Sequence, residues 1–184
     1  PKTFRLTISQ IDVLWSCLST DPECADCLFH WLQGQAKGNA QHALSPQALQ
    51  HIYMKKWPEL KPENISMVAL TLFQQLFILG LSDELRNVKS DVLGMDNLWK
   101  IALRANDTEV SMAAIQYINT YYMENQLKNE KEFVAQCMSY LTQAAEGLNK
   151  PEKEEKSIMC VQRALMLLNT HLETFRRRYA YHLR

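Results

Sequence analysis

Residues 96–122 read Asp96-Asn97-Leu98-Trp99-Lys100-Ile101-Ala102-Leu103-Arg104-Ala105, then Asn106-Asp107-Thr108, then Glu109-Val110-Ser111-Met112-Ala113-Ala114-Ile115-Gln116-Tyr117-Ile118-Asn119-Thr120-Tyr121-Tyr122. In the first part Leu98, Ile101, Ala102 and Ala105 share one helical stripe. In the last part Met112, Ile115, Ile118 and Tyr122 do the same, at the three-and-four spacing of an amphipathic helix. The small polar residues between them leave room only to reverse the chain, and Thr108 is placed to cap the second helix. The stretch therefore predicts a tight helical hairpin with a small-residue seam, Ala102, Ala105, Ala113 and Ala114, where two backbones can approach closely. A hairpin of this kind cannot cover both faces alone and has to stack on neighbours.

Upstream, Ser9 with Asp12 three residues on reads as a capping-box start for a helix carrying Ile11, Leu14, Trp15 and Leu18. Asp21-Pro22 restarts the chain as cap and first helical residue, followed by Cys24, Cys27, Leu28, Trp31 and Leu32 at helical spacing. Ser45-Pro46 is a second such start, leading to Leu49, Ile52 and Tyr53 and ended by Pro58 and Pro62. Residues 65–80 are apolar nearly all round and predict a central helix, whereas residues 82–94 turn polar and predict the longest connection. Downstream, one seam runs through Val134, Cys137, Leu141, Ala144 and Leu148. A matching seam runs through Ile158, Val161, Leu165, Leu168, Leu172, Phe175 and Tyr179, so the two helices are expected to pack antiparallel.

The reading is all-α: a HEAT/armadillo-like α-solenoid of about four antiparallel helix pairs, 9–38, 45–80, 95–126 and 130–184, with a long loop at 82–94. Pairs beginning near residues 9, 45, 95 and 130 are 36, 50 and 35 residues apart, which brackets the ~40–47-residue period of such repeats. The whole of 1–184 reads as one helical-repeat segment. It begins without Met and ends in the helical pattern Tyr181-His182-Leu183-Arg184, the expected form of a piece of a larger protein.

With 184 residues and 47% hydrophobic content, the chain can bury a sizeable core. Twenty basic side chains balance 20 acidic ones, which removes the global electrostatic reason to expect nucleic acid or an anionic membrane. Residues 65–81, the most apolar run, hold Gln74 and Gln75 and are short for a bilayer span, so no membrane partner is expected. Five unpatterned cysteines, Cys17, Cys24, Cys27, Cys137 and Cys160, read as reduced thiols of the cytoplasm, with the nucleus also open.

Cys24-x-x-Cys27-x-x-His30 is the one arrangement shaped like a metal or redox site. Zinc needs a fourth ligand, and His42 and His51 form no matching pair; a redox helix would need a preceding strand that the sequence does not show. Small core residues are the preferred reading, with no metal and no cofactor. None of the cysteines lies among glycines that could form an oxyanion hole, and the five histidines have no triad-like setting. Glycine occurs at five positions only, which excludes phosphate-binding glycine loops. No catalytic residue is therefore assigned. Arg176, Arg177 and Arg178, with Arg184 beyond, form the densest basic cluster and the candidate partner-binding residues. Complementing the helix dipole is the plainer reading of the cluster, because no aromatic stacking platform accompanies it. Tyr117, Tyr121 and Tyr122 could form an exposed aromatic surface, against the commoner fate of core packing.

Several strings carry a family resemblance: Leu98-Trp99-Lys100-Ile101-Ala102-Leu103-Arg104-Ala105, Ala113-Ala114-Ile115-Gln116-Tyr117-Ile118-Asn119, and the tail from Leu172-Glu173-Thr174-Phe175 through Arg176-Arg177-Arg178 to Arg184. Ile11-Asp12-Val13-Leu14-Trp15 and Leu60-Lys61-Pro62-Glu63-Asn64 fit the same pattern. Together they resemble the large ubiquitin-specific proteases of the fat-facets type, most like the protease 24 branch, with the 9X branch as a relative. The resemblance implies a non-catalytic stretch of the helical arm of a deubiquitinating cysteine protease, since no cysteine here has the family's Gly-Asn-Thr-Cys-Tyr-type context. Such a segment is expected to act as scaffold and protein-interaction surface, holding ubiquitinated substrates or regulators near a distant catalytic domain. The rival readings are a free-standing adaptor of similar fold, unconnected with ubiquitin, and then a nucleic-acid-binding helical repeat.

Overall fold

A computed structural model describes residues 4–36, 43–80, 88–124 and 129–182, and among these there are eight α-helices and no strand. The all-α expectation holds. The chain divides into two compact units, residues 1–97 and 98–184, where the sequence reads as one segment.

In the first unit, α1 spans Ile8–Leu18, α2 Pro22–Gln35, α3 Pro46–His51 and α4 Met67–Gly80. The capping box at the start of α1 belongs to Thr7 and Gln10, not to Ser9 and Asp12. The Thr7 hydroxyl accepts the Gln10 N–H at 3.2 Å, while the Gln10 side chain accepts the Thr7 N–H at 2.9 Å. Asp12 is engaged elsewhere, 2.7 Å from His51 Nε2 and 3.4 Å from Lys56 Nζ. Asp21 and Ser45 cap α2 and α3 as expected, each with proline at the first helical position.

α3 runs into a wide π turn, Ile52–Lys56, and a 3-10 turn, Trp57–Glu59. Ala48, Ile52, Tyr53 and Trp57 are thereby all buried. The extra residue per turn lets Trp57 face inward although Pro58 forbids a regular helix beyond it. Trp57 lies 4.8 Å from Phe73 of α4 and 6.5 Å from Phe29 of α2, which in turn meets Trp15 of α1 at 5.6 Å. These four rings bind the unit together. α2 and α4 pack side by side, with Gln33 Nε2 donating to the Val68 carbonyl at 2.8 Å and Ser66 Oγ donating to Asp26 at 2.5 Å.

α5 spans Val88–Arg104 and crosses the boundary between the units. Residues 88–94 are thus helical, which corrects the expected loop at 82–94; residues 81–87 lie outside the described residues. The polar composition of the stretch misled the sequence reading; Gly94 lies inside α5. It sits so close to the Tyr53 hydroxyl and the Phe77 ring that a Cβ there would collide with both. The glycine serves close approach, which outweighs its cost in a helix of about 1 kcal/mol.

The second unit contains the end of α5, then α6 (Thr108–Glu124), α7 (Asn129–Gly147), a 3-10 turn (Pro151–Lys153) and α8 (Glu154–His182). Leu98, Ile101, Ala102 and Ala105 are all at most 1% exposed, as the stripe predicts. The hairpin closes through Ser111 Oγ, which donates to the Ala102 carbonyl at 2.5 Å. Thr108 is the first helical residue, and the cap is Asp107, whose carboxylate accepts the Glu109 N–H at 2.8 Å. Of the expected α6 stripe, Ile115, Ile118 and Tyr122 are buried but Met112 is exposed, replaced inside by Val110, Ser111 and Ala114. Phe133 and Tyr140 of α7 pack on Trp99 at 5.7 and 5.3 Å, and Tyr122 meets Phe133 edge-on at 5.1 Å. That aromatic cluster sets the roll of α7.

The predicted α7 seam holds at Cys137 and Ala144 but has Phe133 inside in place of Val134, and the predicted α8 seam is off by one residue. Val134, Ile158, Leu165 and Leu172 are substantially exposed, whereas Phe133, Cys137, Ser157, Ala164, Leu167 and His171 are buried. α8 packs against both α6 and α7, and small residues at 157, 160 and 164 permit that approach where leucines would not.

Candidate functional site

Arg176, Arg177 and Arg178 are exposed in the last turns of α8, and Arg184 lies outside the described residues. Successive helical residues point about 100° apart, so three consecutive arginines fan around the helix and cannot all face one flat partner. The dipole reading places them suitably near a helix C-terminus.

Cys24, Cys27 and His30 lie on the outer face of α2, all exposed, which corrects their reading as core residues. The inner face is built by Ala25, Leu28, Phe29 and Leu32 instead. The neighbouring Asp21 carboxylate pushes the Cys24 thiol up from its ordinary value, the opposite of what a nucleophilic thiolate needs. Among the described residues no group of three His, Cys, Asp or Glu side chains is arranged to hold a metal. Of the remaining thiols Cys137 is buried, and that burial raises its pKa to about 12. Cys160 donates to the Leu103 carbonyl at 3.4 Å. Tyr122 is buried rather than presented, its hydroxyl also pushed up to about 12 by burial.

Two buried polar groups in the second unit escaped the sequence reading. Arg163 is 8% exposed and donates from Nη1 to the carbonyls of Leu103 (3.2 Å) and Ala105 (2.7 Å). It satisfies orphan carbonyls at the C-terminus of α5, where the dipole also favours a cation. Its position in the row 156, 160, 163, 167 was the available signal, but an arginine within a leucine-rich helix reads as solvent-facing. His171 packs its ring 4.3 Å from that of Phe133, with Glu130 3.9 Å from Nε2. Burial holds its pKa below the ordinary histidine value, and Glu130 opposes that only in part.

A cleft of about 700 Å³ lies between α6 and α8. Its apolar lining includes Met112, Ile115 and Met166, and its polar lining includes the Glu109 carboxylate, Gln116 and four threonines. Asn119 also lines it, at 4% exposure, with neither Oδ1 nor Nδ2 hydrogen-bonded. Only the polar insertions Gln116 and Asn119, beside Ile115 and Ile118, hinted at it in the sequence.

No family model matches the chain. Curated proteins that match over the whole chain include ubiquitin carboxyl-terminal hydrolase puf of Drosophila melanogaster, 58% identical, and human ubiquitin carboxyl-terminal hydrolase 34, 45% identical. The chain is homologous to a segment of the large ubiquitin carboxyl-terminal hydrolases. Human ubiquitin carboxyl-terminal hydrolase 24 matches 81% of the chain at 30% identity, lower than for the other two. The chain spans only about 5% of the length of puf and of hydrolase 34.

Proposed function

We propose that this segment is a non-catalytic scaffold and protein-interaction part of a large deubiquitinating cysteine protease, working in the reduced setting of the cytoplasm or nucleus. The observation that carries the reading is an all-helical chain aligned end to end with about 5% of much longer ubiquitin carboxyl-terminal hydrolases. Tethering a substrate or regulator to such an arm raises its effective concentration at a catalytic domain elsewhere in the same polypeptide, without new chemistry at the docking point. The Cys24 thiol, beside the Asp21 carboxylate, is pushed away from thiolate, which supports a non-catalytic reading of the Cys24-x-x-Cys27 arrangement.

Deleting this segment from the full-length protein tests the reading. Release of a fluorophore from a small ubiquitin conjugate is expected to continue unchanged, while the set of proteins crosslinked to the full-length enzyme loses members. Loss of fluorophore release on deletion, or release by the 184-residue chain alone, would overturn it.

A further inference from the structure

We infer that the outer apolar row of α8, Ile158, Val161, Leu165, Leu168 and Leu172, is the seat of the helix pair that follows residue 184 in the parent polypeptide. This deepens the scaffold reading above and rests on it. The row has the three-and-four spacing of a coiled-coil seam, repeating every seventh residue through 158, 165 and 172. The fold leaves it open: Ile158, Leu165 and Leu172 are 43%, 50% and 42% exposed, and Val161 and Leu168 are half-buried. Single exposed leucines are ordinary, but a contiguous row of them marks an interaction surface.

At about 100° per residue, the row points roughly 170° away from the middle of the Met166, Thr170 and Thr174 row that faces the α6 cleft. It therefore lies on the flank of α8 next to α7. The two helices are antiparallel, with Phe133 against His171 at one end and Gly147 against Ser157 at the other. On α7 the exposed Val134 and Met138 follow the buried Phe133 and Cys137 by one residue. On α8 Ile158, Leu165 and Leu172 follow the buried Ser157, Ala164 and His171 in the same way. Equal offsets in antiparallel helices are mirror-related, so the two rows converge on the outer side of the hairpin. They make a shallow apolar groove of the kind a helix face fills, bordered on α8 by Gln162, Asn169 and, toward its end, Arg176.

Length and spacing identify the occupant. The chain matches about 5% of puf and of hydrolase 34, so most of such a polypeptide lies outside it. In a stacked helical array each helix covers its apolar faces with the helices before and after it in the sequence. α6 and α7 already pack on α8, which leaves the outer row to the helices that come next. A heptad row suits a helix, and it offers an extended strand no main-chain partner, because α8 bonds its own amides internally.

The test uses the full-length protein with the photo-crosslinking residue p-benzoylphenylalanine in place of Leu165. Crosslinked peptides are expected to fall within about 45 residues after position 184, one helical repeat. Amides of residues 158–172 are expected to exchange at least about tenfold more slowly in the full-length protein than in the 184-residue chain. Leu165→Asp with Leu172→Asp is expected to abolish that slowing and to leave the melting point of the 184-residue chain unchanged within about 3 °C. Equal exchange in the two proteins would overturn the proposal. So would a larger fall in that melting point, which would place the row in the segment's own core. Crosslinks to another protein, to a second copy or to a remote stretch of the same polypeptide would also overturn it, as would the absence of any crosslink. Slowed exchange that depends on Leu165 and Leu172, beside a deletion that changes no crosslinked partner, would keep the packing and remove the scaffold role. A changed partner set with equal exchange would do the reverse.

Discussion

Arg163 shows how a single buried cation can join two helices that are distant in sequence. Its guanidinium satisfies two carbonyls at the end of α5 from a position 58 to 60 residues later. Arg163→Met retains the stem and its packing but leaves those carbonyls unpaired. Chemical denaturation is expected to show a loss of about 2–3 kcal/mol; a change near zero would mean that water replaces the guanidinium. His171 acts in the opposite sense. Its folded-state pKa is depressed by burial, so the unfolded chain binds the proton more readily. Its neutral form contributes stability that is full above the ordinary value of about 6.5 and is lost as pH falls through that value toward the folded one. The denaturation midpoint is expected to drop between pH 7.5 and pH 5.5 by more in the parent than in His171→Leu. Equal drops would place the pH dependence elsewhere.

At the scale of the element, amphipathic periodicity located helices well and their faces less well. In residues 98–105 all four predicted stripe positions are buried, and Trp99 and Leu103 beside them are buried as well. α8 has two adjacent stripes, a leucine-rich one at 158, 165 and 172 and a smaller-residue one at 157, 160, 164, 167 and 171. Hydrophobicity favours the first, but closeness to α6 and α7 selects the second, because interiors demand fit as well as grease. Leu167→Ala is accordingly expected to cost about 2–4 kcal/mol and Leu165→Ala under about 1 kcal/mol by urea denaturation. The reverse order would restore the seam read from sequence. Caps behaved similarly: Asp21 and Ser45, each followed by proline, were legible. Ser9 lost to Thr7 because Asp12 is recruited by His51 and Lys56, 39 and 44 positions away.

For the whole molecule, charge balance and helical composition bear on role more than any single residue does. With 20 basic and 20 acidic side chains, the chain gains little from long-range steering of a charged partner. The chain matches about 5% of the length of puf and of hydrolase 34, and in proteins of that length a tethered surface needs only modest affinity, because tethering supplies the concentration.

Helix content and the central hairpin could be read from order and spacing, because each is set by residues near one another in the chain, while likeness to the large hydrolases lay in whole strings of residues. Which stripe of α7 and α8 turns inward, why Gly94 interrupts nothing, and where Arg163, His171 and Asn119 come to rest were decided only by the folded chain. Those outcomes depend on contacts between residues tens of positions apart. Periodicity records that a side is apolar, but the volume available on the opposing helix decides which side chain can occupy it.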